Sequence, residues 1–159
     1  MVSSLKSALI VYHSSTGNTR KVAYAIKDGL ENEGLTVDLK KPQEAVEVDF
    51  YGYDLVCVGS PSIEWQPAKP MVDLLKAKLN LYRGQGKIKA CAPKLAGKTM
   101  RQYFEHFGFN ILGEWYVPSE FHGREDMSTQ GRLGDIKGKP TADELGKIKK
   151  DAQQIAKSL

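Results

Sequence analysis

Long hydrophobic runs are missing from this chain. Its longest apolar stretches, Ala8–Tyr12 and Leu55–Val58, are the length of a β-strand, far short of the ~18 residues that a membrane-spanning helix needs. The opening MVSSLKSALIVY is too short in apolar residues for a signal peptide. Cysteine is scarce. Cys57 and Cys91 make no disulfide framework, Cys57 reads as a buried thiol, and a reducing, cytoplasmic compartment is expected. Aromatics are thin between positions 69 and 101, where Tyr82 stands alone, so a base-stacking platform for nucleic acid is not expected. His106 and His122 have no cysteine or carboxylate partners at ligand spacing, and no metal site is expected. A Gly-x-Ser-x-Gly elbow, internal repeats and low-complexity segments are absent as well.

What remains is ordinary for a soluble globular protein: 41% apolar and 26% charged residues in 159, enough for one domain over 1–159 with its own core. The net charge of +4 is unevenly placed. Residues 1–60 carry −2 and residues 61–159 carry +6, and Lys69–Arg101 holds nine Lys/Arg against one acid, Asp73. Two readings stay open for that segment: solvated helix faces, or a docking face for an acidic partner protein.

Apolar runs and helical patterns alternate. ALIVY (Ala8–Tyr12) and DLVCVG (Asp54–Gly59) read as strands buried on both faces, with a short strand at Thr36–Leu39. Helices are expected at Asn18–Glu33, ended by Gly34, and at Pro67–Leu79 with a proline in its first turn. Two more are expected at Thr99–Phe107, ended by Gly108, and at Thr141–Leu159, opened by a Thr141/Glu144 capping box. Phe109–Val117 reads as a further strand. This alternation predicts an α/β fold, a doubly wound parallel sheet with helices on both faces. Ligands of such folds bind beyond the carboxyl ends of the strands. The strand expected between the second and third helices has only Ile88–Ala92 to form it, with Lys89 inside. The 23-residue connection Pro118–Pro140 is long enough to cover a site or make an oligomer contact.

Two loops carry chemistry. His13-Ser14-Ser15-Thr16-Gly17-Asn18-Thr19 runs from a buried strand into a helix, with four hydroxyls and one glycine. A helix N-terminus offers unpaired N–H groups and partial positive charge, and neutral hydroxyls around it can wrap a phosphate monoester without Lys or Arg. A simple helix cap needs one such residue. The loop lacks the Gly-Lys-Ser/Thr ending of a Walker A motif and the three glycines of a dinucleotide fingerprint. The second loop, Gly59-Ser60-Pro61-Ser62-Ile63-Glu64-Trp65-Gln66-Pro67, places a tryptophan in a polar turn. It could cover a planar ring or pack on its own helix.

With these residues in view the chain resembles the flavodoxin superfamily over nearly its whole length. The resemblance is carried by ALIVYHSSTGNT, by LVCVGSPSIEW and by the final helix. It implies a three-layer sheet of order 2-1-3-4-5 and FMN as cofactor. It implies that Ser14, Ser15, Thr16, Gly17, Asn18 and Thr19 hold the phosphate, and that Ser60, Pro61, Ser62, Ile63, Glu64 and Trp65 line the isoalloxazine and ribityl side. The implied function is electron transfer through the flavin with a redox partner protein. The alternatives are an NAD(P)H-dependent FMN reductase acting on quinones, and a cofactor-free interaction protein. Two departures stand out. The sequence pI is about 9.0, where classical flavodoxins are acidic. The fourth strand and its flavin-facing loop are shortened or missing near Lys98/Thr99, so another chain could complete the sheet.

Overall fold

The computed structural model describes residues 5–63, 66–87, 100–119, 129–130 and 136–159. Strand β1 (Ser7–Tyr12) lies in the middle of a parallel sheet, with β2 (Thr36–Lys40) on one side and β3 (Leu55–Gly59) on the other. Ile10 stands opposite Leu39 in one ladder and Cys57 in the other. The order β2-β1-β3 is the first part of the expected topology. Ala8, Leu9, Ile10 and Val11 are at most 1% exposed, as an unbroken apolar run between two helical layers requires.

Alternate β1 side chains enter different cores. Leu9 and Val11 meet Phe50, Met71, Leu75, Tyr82, Phe104 and Phe107, supplied largely by α2 (Lys69–Gly84) and α3 (Met100–Phe107). Ala8 and Ile10 meet Ala23, Ile26 and Leu30 of α1 (Asn18–Asn32) and Ile148, Ala152 and Ala156 of α4 (Ala142–Ser158). The molecule therefore has three layers, with an aromatic core on one face of the sheet and an aliphatic, small-residue core on the other. In the second core α1 and α4 come close. A β-carbon on Gly29 would lie 2.9 Å from Ala152 Cβ and overlap the carbonyl oxygen of Lys149. The expected capping box opens α4: Thr141 N–H donates to Glu144 Oε2 at 2.8 Å, and Glu144 N–H donates to Thr141 Oγ1 at 3.2 Å.

Several expectations need correction. Helix α2 begins at Lys69, so Pro70 occupies its first turn, while Pro67 ends the two-residue strand β5 (Gln66–Pro67), which pairs antiparallel with β4 (Ser62–Ile63). Strand β3 is half-buried along its length instead of fully buried. Among the described residues it has a ladder partner, β1, on one edge only. Cys57 is accordingly half-buried, yet its packing toward α1 and α4 pushes the thiol up to about 12, so it stays protonated at neutral pH. Phe109–Val117 forms no strand. Phe109 and Ile111 pack on the aromatic core and Trp115 and Val117 on the aliphatic one, while no described strand offers this backbone a ladder. Apolar alternation satisfies the side chains; a strand also needs a neighbour for its N–H and C=O groups. The expected strand Ile88–Ala92 and most of the Pro118–Pro140 connection lie outside the described residues.

The aromatic core holds a buried hydroxyl. Tyr82 is 1% exposed, and its oxygen accepts from Phe50 N–H at 2.9 Å. Burial, reinforced by Asp49, pushes its phenol up to about 12 against an ordinary 10.0. The unfolded chain thus releases this proton first, so the stability that Tyr82 contributes is complete below pH 10 and is lost as pH rises through 12. Tyr82→Phe is expected to cost about 1–2 kcal/mol at pH 7, by stranding the Phe50 N–H, and to flatten the alkaline loss of stability. Urea melts of both proteins from pH 7 to 11.5 check this; parallel curves would count against it.

Candidate functional site

The carboxyl ends of β1 and β3 feed the two loops read from the sequence. After Tyr12 the chain turns through 13–17 into α1, whose N-cap is Gly17 at φ +101°. That left-handed backbone favours glycine, and open space surrounds the position, so the requirement there is conformational, not steric. Ser14 is half-buried and its Oγ accepts from Gly17 N–H at 3.1 Å and from Arg20 N–H at 3.3 Å. One hydroxyl thus shapes the loop and caps the third residue of α1. Ser15 and Thr16 are exposed, Thr19 is half-buried and Asn18 is buried. No acid stands in the first turn of α1. The loop therefore presents hydroxyls and a positive helix end with no negative charge, a donor set suited to a phosphate. The six residues Ser14 to Thr19 are all brought to this one helix start.

The second loop is tied to the first. His13 N–H donates to Gly59 O at 3.0 Å, and a β-carbon at Gly59 would come within 3.3 Å of Thr19 Cγ2. Ser60 is placed at the junction, but its hydroxyl is engaged: Oγ accepts from Ala68 N–H at 2.7 Å and donates to Pro61 O at 2.9 Å. It therefore clasps the two ends of the β4–β5 hairpin, a structural role that its position in the motif did not show. Pro61 is half-buried beside it. Ser62 and Ile63 form β4; their side chains, and the connecting residues Glu64 and Trp65, lie outside what the structure describes.

Sequence reading missed a neighbouring feature. On the β2 side of the Ser14–Thr19 loop a cleft of about 730 Å³ includes Arg20 and Tyr24 of α1 with Lys40 and Lys41 at the end of β2. The adjacent pair Lys40-Lys41 was a visible signal, but the loop after β2 had no hydroxyl or glycine motif to draw notice.

Three cations of the basic segment 69–101 are paired among the described residues. Lys69 pairs with Asp73, Lys87 with Asp49, and Arg101 with Glu105 and Glu114. Lys78 is buried at 1% exposure, its Nζ donating to the carbonyls of Val46 and Val48 and lying 5.0 Å over the Phe50 ring. Desolvation lowers its pKa. Lys78 occupies the same face as Met71, Leu74, Leu75, Leu79 and Tyr82, all buried. This helical spacing is the signal that would have separated it from the solvated lysines.

A doubly wound α/β protein with its candidate binding loops at the carboxyl ends of neighbouring parallel strands is the class that this geometry defines. The chain belongs to the flavodoxin family, whose model, described as Flavodoxin, matches residues 10–157. Members of that family bind flavin, typically FMN. An uncharacterized protein, MJ0732, of Methanocaldococcus jannaschii is 26% identical over 143 residues, which cover 81% of this chain and 36% of that protein. The structure of a flavodoxin from the domain Archaea superposes with a TM-score of 0.62 at 18% identity, covering 96% of this chain and 97% of that one. The rubredoxin oxygen:oxidoreductase of Desulfovibrio gigas gives a TM-score of 0.58 at 21% identity, covering 96% of this chain and 35% of that one. These structural likenesses concern the fold. The chain spans about a third of the length of the curated relatives it matches. No helix among the described residues is long and apolar enough to cross a membrane.

Proposed function

We propose that this chain binds FMN and transfers electrons through it in a reducing, cytoplasmic setting. The observation that carries the reading is the acid-free, hydroxyl-rich start of α1, opened by Gly17 in the left-handed region and held against Gly59. Ser15 and Thr16 present exposed hydroxyls to the phosphate, and the N-terminal N–H groups of α1 add to them. Gly59, which lacks a side chain, lets the two loops approach closely, and the Ser60 clasp fixes the ends of the hairpin of the second loop. When bound, the flavin supplies one- and two-electron redox chemistry. The proposed partner is a redox protein with an acidic face. Among the described residues of the 69–101 segment, Lys76 and Arg83 are the exposed cations that no described ion pair engages.

The test is a titration of the purified protein with FMN, followed by flavin fluorescence, with intact mass checked on the same sample. Stoichiometric quenching is the expected outcome. Fluorescence that stays at its free value in protein of the correct mass would overturn the flavin reading and leave a flavodoxin fold without its cofactor.

A further inference from the structure

We propose that the cleft on the β2 side of the phosphate loop binds an adenosine phosphate group. The inference goes beyond the flavin reading and rests on Arg20, Tyr24, Lys40 and Lys41, in a cleft bordered also by Ser14, Ser15 and Gly17.

The first support is charge. Arg20, Lys40 and Lys41 line the cleft, and none has a carboxylate within ion-pair distance among the described residues. The one acid of the lining, Glu44, is committed, since its Oε2 accepts from Lys41 N–H at 2.7 Å at the start of a short 3-10 helix, Pro42–Ala45. Cations without an ion pair among the described residues occur elsewhere too, as at Lys76 and Arg83, but here three of them share one concavity. Glu44 keeps its charge, so the lining holds three cations against one carboxylate, a positive excess that favours an anion.

The second support is shape. A volume of about 730 Å³ lies within the range of small-molecule sites, roughly 300–1,000 Å³, and is far more than a lone phosphate fills. The third is a flat surface. Tyr24 is 40% exposed, and the Arg20 guanidinium lies 5.4 Å from its ring centroid. A stacked guanidinium and phenol offer a π-surface to a planar base, while Lys40 and Lys41 hold a phosphate across the cleft. Because Ser14, Ser15 and Gly17 border this cleft as well as the phosphate loop, the group can arrive in two ways. It can be part of the flavin cofactor, as the adenylate half of FAD, or a separate nucleotide beside bound FMN.

The experiment is calorimetric titration of wild type, K40E/K41E and K40Q/K41Q with ADP, FMN and FAD, with circular dichroism to verify folding of each variant. ADP is expected to bind wild type and to weaken about tenfold or more in K40E/K41E, which is about 1.4 kcal/mol or more, and less in K40Q/K41Q. FMN affinity is expected to stay the same in all three. FAD binding tighter than FMN, with the advantage lost in K40E/K41E, assigns the group to the cofactor; ADP binding to FMN-loaded protein assigns it to a separate nucleotide. Wild type that takes up no ADP, with or without FMN, and binds FAD no better than FMN overturns the proposal. So does ADP binding that both variants leave unchanged. If FMN fails to bind while ADP binds as described, the flavin reading falls and the cleft stands.

Discussion

Gly29→Ala is expected to destabilise the protein, although the same exchange inside a helix ordinarily stabilises it by about 0.5–1 kcal/mol. The reversal comes from the packing of α1 on α4. The new methyl group would overlap the Lys149 carbonyl oxygen and press on Ala152 Cβ at 2.9 Å, and both belong to a helix anchored in the core by Ile148, Ala152 and Ala156. To admit it, α4 must move away from β1, loosening the contacts of Ala8 and Ile10. Overpacking of this kind costs ~1–3 kcal/mol, and Gly29→Val belongs at or above the upper end. For a domain of this size 1 kcal/mol corresponds to about 2–4 °C in Tm, so the valine variant is expected to melt roughly 10 °C lower. Gly146 supplies the control. It lies in α4 with nothing within 4 Å of its would-be β-carbon, and Gly146→Ala is expected to raise Tm by a degree or two. Thermal melts of the three variants decide the matter. Equal shifts for the two alanine substitutions would show that α1 and α4 do not approach as described.

Thr16→Asp is expected to separate binding from folding. Thr16 is exposed and sits one residue before the N-cap of α1, where a carboxylate favours the positive end of the helix by about 0.3–1 kcal/mol. The apo protein should therefore melt at the same temperature or slightly above wild type. A flavin phosphate in the loop would meet that carboxylate as a like charge. At an effective dielectric constant near 20, two unit charges ~4 Å apart cost about 4 kcal/mol, so FMN affinity should drop by a hundredfold or more. Fluorescence titration and apo melting on the same preparation read both quantities. Unchanged affinity would place the phosphate elsewhere. Thr16→Ala removes one hydroxyl without adding charge, and its loss should be much smaller.

The Ser14–Thr19 loop was legible as a helix-start loop because its signal is local: four hydroxyls and a glycine follow directly on a buried strand, and the structure brings all of them to one helix start. The β2-side cleft was not. Arg20 and Tyr24 meet Lys40 and Lys41 only through the parallel register of β1 with β2, a contact that spans some twenty residues of chain. Ser60 was read as lining a ligand, and in the structure its hydroxyl closes the hairpin, because a loop returning on itself must satisfy its own N–H groups. Phe109–Val117 misled for a related reason. Its alternating apolar residues fit the two cores, and side-chain pattern alone cannot reveal whether a neighbouring strand accepts the backbone. Lys78 shows the converse, a charge whose helical position outweighs its chemistry. Its four-carbon stem packs with the apolar face of α2 while its ammonium finds two carbonyls.

The unequal composition of the two cores gives each its own spectroscopic reporter. Tyr51, Tyr82, Tyr103, Phe50, Phe104, Phe107 and Phe109 pack against one another beneath α2 and α3, so in a Tyr12→Phe background near-ultraviolet circular dichroism from buried tyrosine follows chiefly that layer. Trp115 stands on the opposite side, packed with the α1–α4 core and donating its indole N–H to Asp151 at 3.2 Å. In a Trp65→Phe background, Trp115 is the sole tryptophan, and its emission follows the other layer. Recording both signals through one denaturant titration reveals whether the layers on the two faces of β1 come apart together or in succession.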